Sequence, residues 1–436
     1  MAELRPFRGI RYNQGKIKDI SAVICPPHDI IPPHLQEELY HRHENNFVRI
    51  EFGRELPQDN GVENRYTRAV ATIESWLEQG ILQPEARPAI YIHDYYFNFA
   101  GRKYRRRGLI ATVRLEDWDK RVIFPHEGTL ARSKNDRLNM LRACQANTSP
   151  ILALYQDREQ VLKDILDRAT AGRPIVDAQS EDERHVIWAV DDLQLIGSIR
   201  SFMVDQPLYI ADGHHRYESA LIYKKERAAG TAFTGEEGFN FIMMTLVEFD
   251  DPGLLILPPH RLVRGISRAA MQRLKESLGT FFHIEEISLD DKRVWQRLDE
   301  ILVGGLDHVH LGLFGLQDDV VYILAVKDQQ MVDNLMPAFH SDIYRRLDVS
   351  VVDHLILEEL LNLGNQGEQA VLTYNYDRQD AVNRVRDGEF QLAILLNPVK
   401  AAVIKAIADA GDRMPRKSTY FYPKEPAGLV FYRMVL

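Results

Sequence analysis

The feature that most constrains this chain is a junction near its middle. Pro207-Leu208-Tyr209-Ile210-Ala211 has the pattern of a short buried strand. Asp212-Gly213-His214-His215 follows as a turn, and Arg216–Ala229 reads as a helix ending at Gly230. An apolar strand that passes through a glycine straight into a helix belongs to a sheet covered by helices, an α/β (α+β) architecture. The pattern recurs near the C-terminus. Phe390–Leu396 reads as a strand, Asn397 as an N-cap and Pro398 as the first helical residue. The stripe Val399, Ala402, Val403, Ala406, Ile407 and Ala410 is then a buried helix face, closed by Gly411.

Other segments fill in the layers. Asn46–Phe52 reads as a strand, and Tyr66, Ala69, Val70, Ile73 and Leu77 recur at helical spacing ahead of Gly80. Ala89–Tyr96 and Tyr104–Val113 form a hairpin turned by Asn98-Phe99-Ala100-Gly101. Ser133 and Asp136 have capping-box spacing, and Pro258-Pro259-His260-Arg261 reads as a turn. The chain has 436 residues, enough for two or three packed domains.

Charge and cysteine content exclude several classes. The formal net charge of −9 argues against a general duplex-DNA binder, which needs massed Lys and Arg. The densest basic run, Arg102-Lys103-Tyr104-Arg105-Arg106-Arg107, lies on the hairpin and reads as a solvated face. Two distant cysteines, Cys25 and Cys144, make neither a disulfide framework nor a Cys-rich zinc site. The start lacks the apolar core of a signal peptide, and no run approaches the ~18–20 apolar residues of a membrane span. A soluble cytoplasmic protein is expected.

Three stretches carry candidate chemistry. At Asp212-Gly213-His214-His215-Arg216 a helix begins where Gly213 allows close backbone approach. Its first N–H groups and dipole favour a phosphate, and the histidines and Arg216 add donors. Asp212 is a candidate helix cap. At Phe124-Pro125-His126-Glu127 a carboxylate at a strand end, beside His126, is suited to take a hydroxyl proton, although a loop glutamate is more commonly just solvated. Arg137 nearby suits a carboxylate or phosphate. In Gly411–Thr419 a glycine precedes Lys417-Ser418 as in a P-loop, but Arg416 stands at the second glycine's place and the helix precedes the loop. A nucleotide P-loop is therefore not expected, while Lys417, Ser418 and Thr419 still bunch donors for an anion. His260 and Arg261 are placed in the same cleft. His308 and His310 share a strand face but have no third metal ligand at a suitable spacing, and the metal ligands stay unassigned.

These residues carry a resemblance. Asp212-Gly213-His214-His215-Arg216 resembles the Asp-Gly-x-His-Arg box of the ParB/sulfiredoxin-like superfamily. With Pro125-His126-Glu127 upstream and Gly411 through Thr419 downstream, the order and spacing look like the free-serine kinases, over roughly residues 86–436. The whole length also resembles a widespread bacterial and archaeal family of conserved proteins without assigned function. That second likeness includes the Cys25-Pro26-Pro27-His28-Asp29 opening and the close from Lys417 to Lys424. Arg416, Ser418 and Tyr420 depart from the kinase pattern, and the first ~85 residues have no counterpart there.

The resemblance implies an N-terminal extension over 1–85 packing on the core, a ParB/sulfiredoxin-like catalytic lobe over 86–264, and a C-terminal α/β lobe over 265–436 closing the active site. It implies a phosphotransferase of the free-serine kinase type, moving a phosphoryl group between a nucleotide and free L-serine to give O-phosphoserine. ATP or ADP is the implied donor, and Mg²⁺ is expected because it commonly neutralises nucleotide phosphates. Glu127 matches the catalytic glutamate that takes the serine proton, and Asp212 to Arg216 match the part that grips the transferring phosphate. Lys417 and Thr419 match residues closing over phosphate and amino acid. Two alternatives stay open: phosphoserine dephosphorylation by the same groups, and a ParB-like nucleotide- or DNA-binding regulator without turnover.

Overall fold

The central apolar runs become strands of a nine-stranded mixed sheet in a computed structural model of the protein, which describes residues 2–229, 233–302, 309–363 and 372–435. The chain divides into two units: Met1–Pro125, Thr129–Leu255 and Pro423–Leu436 form the first, and His126–Gly128 and Ile256–Tyr422 the second.

The sheet of the first unit uses β1 (Leu4–Arg5), β2 (Ile90–Phe99), β3 (Arg102–Arg114), β4 (Ile123–Phe124), β5 (Ile151–Tyr155), β6 (Val176–Gln179), β7 (Glu183–Val190), β8 (Leu208–Asp212) and β9 (Phe241–Glu248). Their order is β4-β8-β5-β9-β3-β2-β7-β6, with β1 also on β3. β4 runs parallel to β8 and β5 parallel to β9; the other pairings are antiparallel. The β2–β3 hairpin turns at Ala100 and Gly101, with φ of +47° and +74°. That left-handed pair matches the right-handed twist of the strands.

Both sheet faces are buried, as alternation along the strands requires. Ile90, Ile92, Leu109 and Ala111 face α5 (Val161–Ala169), α6 (Leu193–Met203) and α7 (His214–Ala228). Tyr91, Ile110 and Met243 face the N-terminal segment with α1 (Pro33–Arg42), α2 (Val48–Glu51) and α3 (Arg65–Glu78). α4 (Ala131–Cys144) gives Leu138 and Leu141 to one core, Met140 and Cys144 to the other. Cys25 and Cys144 are buried and free.

In the second unit, β10 (His260–Val263), β11 (Phe282–Ser288), β12 (His310–Phe314), β13 (Val320–Val326), β14 (Leu372–Asn375) and β15 (Leu392–Leu395) form an antiparallel sheet of order β11-β13-β12-β15-β10-β14. α8 (Arg268–Phe281), α9 (Val294–Ile301), α10 (Arg378–Arg386) and α11 (Ala401–Asp409) belong to this unit, and Val294, Leu298, Ala381 and Val382 join its sheet in one core.

Several local expectations are corrected. Asn46–Phe52 is not a strand: Asn46 Oδ1 accepts the Val48 N–H at 3.0 Å and its amide ties Ala22 and Ile24, which starts the short helix α2. Ser133 does not cap; α4 begins two residues earlier, and Asp136 instead accepts from Tyr66 and Arg137. His260 starts a strand, not a turn. Asn397 donates its N–H to Asp348 and its amide to the His310 carbonyl, so α11 starts later, with Lys400 at the cap position. The basic run is not a solvated face throughout. Arg106 is 1% exposed and bonds Glu425 Oε1 at 2.5 Å and the Pro423 carbonyl, while Arg107 pairs with Asp94 and Asp167. The expected helix end at Gly230 and the metal candidate His308 lie outside the described residues. Among the described residues no helix is long and apolar enough to cross a membrane.

Candidate functional site

In the first unit the Asp-Gly-His-His-Arg turn lies at the end of β8. Gly213 has φ +99°, and a Cβ there would come within 3.0 Å of the Arg216 guanidinium and 3.1 Å of Ile151. The turn therefore needs glycine on both conformational and steric grounds. Gly213 itself takes the cap position of α7, and Asp212 does not cap as expected. Its carboxylate is instead bound by Arg216 Nη2 at 2.7 Å and by Lys424 Nζ. Burial pushes the Asp212 pKa up, but Lys424 and Arg216 outweigh this and hold it well below the usual range.

Arg216 is almost buried. Its Nη1 donates to Ser149 Oγ at 3.1 Å and to the Pro150 carbonyl at 2.6 Å. His215 Nε2 accepts the Leu130 N–H at 2.9 Å, satisfying one orphan donor at the start of α4. His214 is buried at the first turn of α7. Arg137 forks onto Asp136 through Nε at 2.8 Å and Nη2 at 2.6 Å, and its Nη1 lies 3.5 Å from Glu51 Oε1.

In the second unit two segments nearly three hundred residues apart meet. Glu127 and Met414 form a parallel bridge, and the Met414 N–H donates to the His126 carbonyl at 2.8 Å. The Lys417 N–H donates to Glu127 Oε1 at 2.9 Å, and His126 Nε2 lies 3.1 Å from Thr419 Oγ1. Ser418 Oγ donates to the Pro415 carbonyl at 2.5 Å. Lys417 has φ +57°, a left-handed conformation that costs a lysine on the order of 1 kcal/mol or more. Its side chain is exposed while its backbone is held on Glu127.

The loop is anchored at its start by Asp412, which accepts from Ser341 N–H, Ser341 Oγ and Arg413 N–H and pairs with His340 at 2.8 Å. Burial raises the Asp412 pKa, but these bonds lower it further, so it is held as a carboxylate. At its far end Tyr420 stacks on Tyr376 at 3.9 Å. His260 is 3% exposed, and its Nδ1 accepts the Leu396 N–H at 3.0 Å. Among the described residues no group of three His, Cys, Asp or Glu side chains is arranged to hold a metal.

The structure thus joins Glu127, His126, Lys417 and Thr419 in one unit, and Asp212, Arg216 and Lys424 in the other. Sequence reasoning missed Lys424, Ser149 and Glu51. No sequence signal marked Glu51: Arg49 and Glu51 alternate with Val48, Ile50 and Phe52, the pattern of a solvent-facing side.

Comparison with solved structures gives distant likenesses. A conserved hypothetical protein from Pyrococcus furiosus is 13% identical, with TM-score 0.35, covering 75% of this chain and 95% of its own. A free serine kinase in complex with AMP is 12% identical, with TM-score 0.34, covering 74% and 91%. SbnI from Staphylococcus aureus, truncated at its C-terminus, is 11% identical, with TM-score 0.31, covering 72% and 84%. A variant of the free serine kinase also has a structure with ADP. No curated protein matches the sequence. A family model does match, over residues 4–350, and the chain accordingly belongs to the proteins of unknown function grouped as DUF1015.

Proposed function

We propose that this protein transfers a phosphoryl group between a nucleotide and free L-serine, giving O-phosphoserine. The serine Oγ attacks the terminal phosphorus of ATP or ADP, the bond from that phosphorus to the bridging oxygen breaks, and the hydroxyl proton passes to Glu127. His126 orients the loop through Thr419, and Lys417 contributes to the anion clamp, while buried Ser418, whose one hydroxyl proton goes to the Pro415 carbonyl, braces the loop. In the first unit, read here as a lobe of ParB/sulfiredoxin-like type, the Asp-Gly-His-His-Arg turn offers its helix-start N–H groups and His214 to a phosphate. Mg²⁺ would travel with the nucleotide phosphates and neutralise them.

The observation that carries this reading is the pairing of the Pro125-His126-Glu127 segment with the Gly411–Thr419 loop. Both belong to the serine-kinase resemblance. Here a carboxylate holds the backbone of a lysine in a conformation that lysine rarely adopts. Such strain persists only where neighbouring bonds impose it, and it collects at sites of chemistry. A carboxylate so placed is suited to general-base work, and the neighbouring cation to charge neutralisation.

The test is an incubation of the purified protein with Mg²⁺, either ATP or ADP, and L-serine labelled with ¹⁸O in its hydroxyl. The expected product is O-phosphoserine that retains the label, because the serine oxygen is the nucleophile. Absence of phosphoserine with both nucleotides overturns the reading.

A further inference from the structure

The segment before residue 85 has no counterpart in the kinase pattern, yet one of its side chains lies at the centre of a buried polar chain in the first unit. Glu51, the last residue of α2, is fully buried. Its Oε2 accepts from Thr148 Oγ1 at 2.5 Å and its Oε1 from Ser149 Oγ at 3.0 Å. His28 brings its N–H and its Nδ1 each to 3.4 Å of Oε1, and Arg137 Nη1 lies at 3.5 Å. Burial pushes the Glu51 pKa up, but His28, Arg137 and Thr148 hold it at about 2, so it is a carboxylate.

The proton order of this chain is fixed by donor chemistry. A carboxylate only accepts and a guanidinium only donates. Ser149 has one proton, which goes to Glu51, leaving its lone pair for Arg216 Nη1 at 3.1 Å. Arg216 Nη2 then holds Asp212, the residue that opens the Asp-Gly-His-His-Arg turn and that also takes Lys424. The adjoining cavity, lined by Arg137, Thr148, Ser149 and Arg216 among others, has a volume of about 30 Å³, space for roughly two waters. With so little solvent the charged hydrogen bonds are weakly screened and geometrically strict.

We propose that Glu51 is a positioning residue for the phosphate-binding turn: acting through Ser149 it sets the guanidinium of Arg216, and through Arg216 the carboxylate of Asp212. The N-terminal segment is then part of the active unit. This rests on the phosphoryl-transfer reading for its consequence, but not for its geometry. Replacing Glu51 by glutamine turns one acceptor into a donor, so at least one of the Thr148 and Ser149 hydroxyls loses its target.

The test uses the full chain with Glu51→Gln, Ser149→Ala and Ser149→Thr, and two readouts. The first is the ¹⁵N-detected guanidinium signal of Arg216, expected to be sharp in the wild type and Ser149→Thr and broadened in Ser149→Ala and Glu51→Gln. The second is the KM for O-phosphoserine, expected to rise ~10-fold in Ser149→Ala with kcat within ~2-fold, and to recover in Ser149→Thr. Ser149→Ala is the informative variant if Glu51→Gln fails to fold. An unaltered Arg216 signal in folded Glu51→Gln, or in folded Ser149→Ala, overturns the proposal. A wild type that binds and turns over no phosphoserine instead overturns the function assigned above, and the Arg216 signal still decides the positioning.

Discussion

His260 accepts the Leu396 N–H through Nδ1 and is sealed at the start of β10, so the folded protein requires its neutral form. An imidazolium has no lone pair at Nδ1. Protonation therefore breaks this bond and buries a cation near Arg378 and Arg261. Burial first, and then these two cations, lower the pKa from 6.5 to about 3. A histidine depressed in the folded state gives stability that is present above the unfolded value of 6.5 and is lost as pH falls below it, down to the folded value. The ceiling of this loss is ~5 kcal/mol, approached below about pH 3, and about 3 kcal/mol falls between about pH 7.5 and about pH 4.5. In His260→Asn the amide oxygen keeps the acceptor and the titration disappears. Urea unfolding of both proteins at the two pH values should give a loss in the wild type larger by about 3 kcal/mol than in the variant. Other ionisable groups are common to both and cancel. Equal losses in the two proteins would refute the reasoning.

Glu127→Gln keeps an acceptor for the Lys417 N–H but has no basic oxygen for the serine proton. Phosphoserine formation should fall at least ~100-fold, about 2.7 kcal/mol in barrier, with nucleotide affinity little changed, as stopped-time product assays and calorimetry would report. Arg106→Ala strips the buried Glu425 of its 2.5 Å partner, and thermal or urea denaturation should register a loss of ~3–5 kcal/mol. In Gly253→Ala the new Cβ would meet the backbone of Arg105 and Arg106 at 2.5 Å, and denaturant titration should show at least ~1–3 kcal/mol of destabilisation.

Much of the layering was legible in residue order. The run at 207–211 is apolar because both sheet faces are covered, and the period-2 and period-3.6 patterns announced the hairpin and α3. What failed was local and has local causes. Asn46 folds its own side chain back onto the chain, which no periodicity reports. Asn397 spends its donors on Asp348 and His310 instead of on a helix. Arg106 looked solvated in a basic run because its partner, Glu425, lies more than three hundred residues away. Separations of 98, 67 and 212 residues likewise hid the Glu51–Ser149 and Ser149–Arg216 links and the hold of Lys424 on Asp212. The motif islands at 125–127 and 411–419 were visible as residue types; the left-handed backbone of Lys417 that joins them was not.

Following the phosphorus itself tests the central claim most directly. ³¹P NMR of the protein with L-serine, Mg²⁺ and either ATP or ADP, the direction in which an anhydride yields a more stable phosphate ester, should show a phosphoserine resonance growing in as the terminal phosphate of the nucleotide decays. A nucleotide spectrum that stays unchanged with both donors, or a terminal phosphate released only as inorganic phosphate, would contradict phosphoryl transfer between nucleotide and serine.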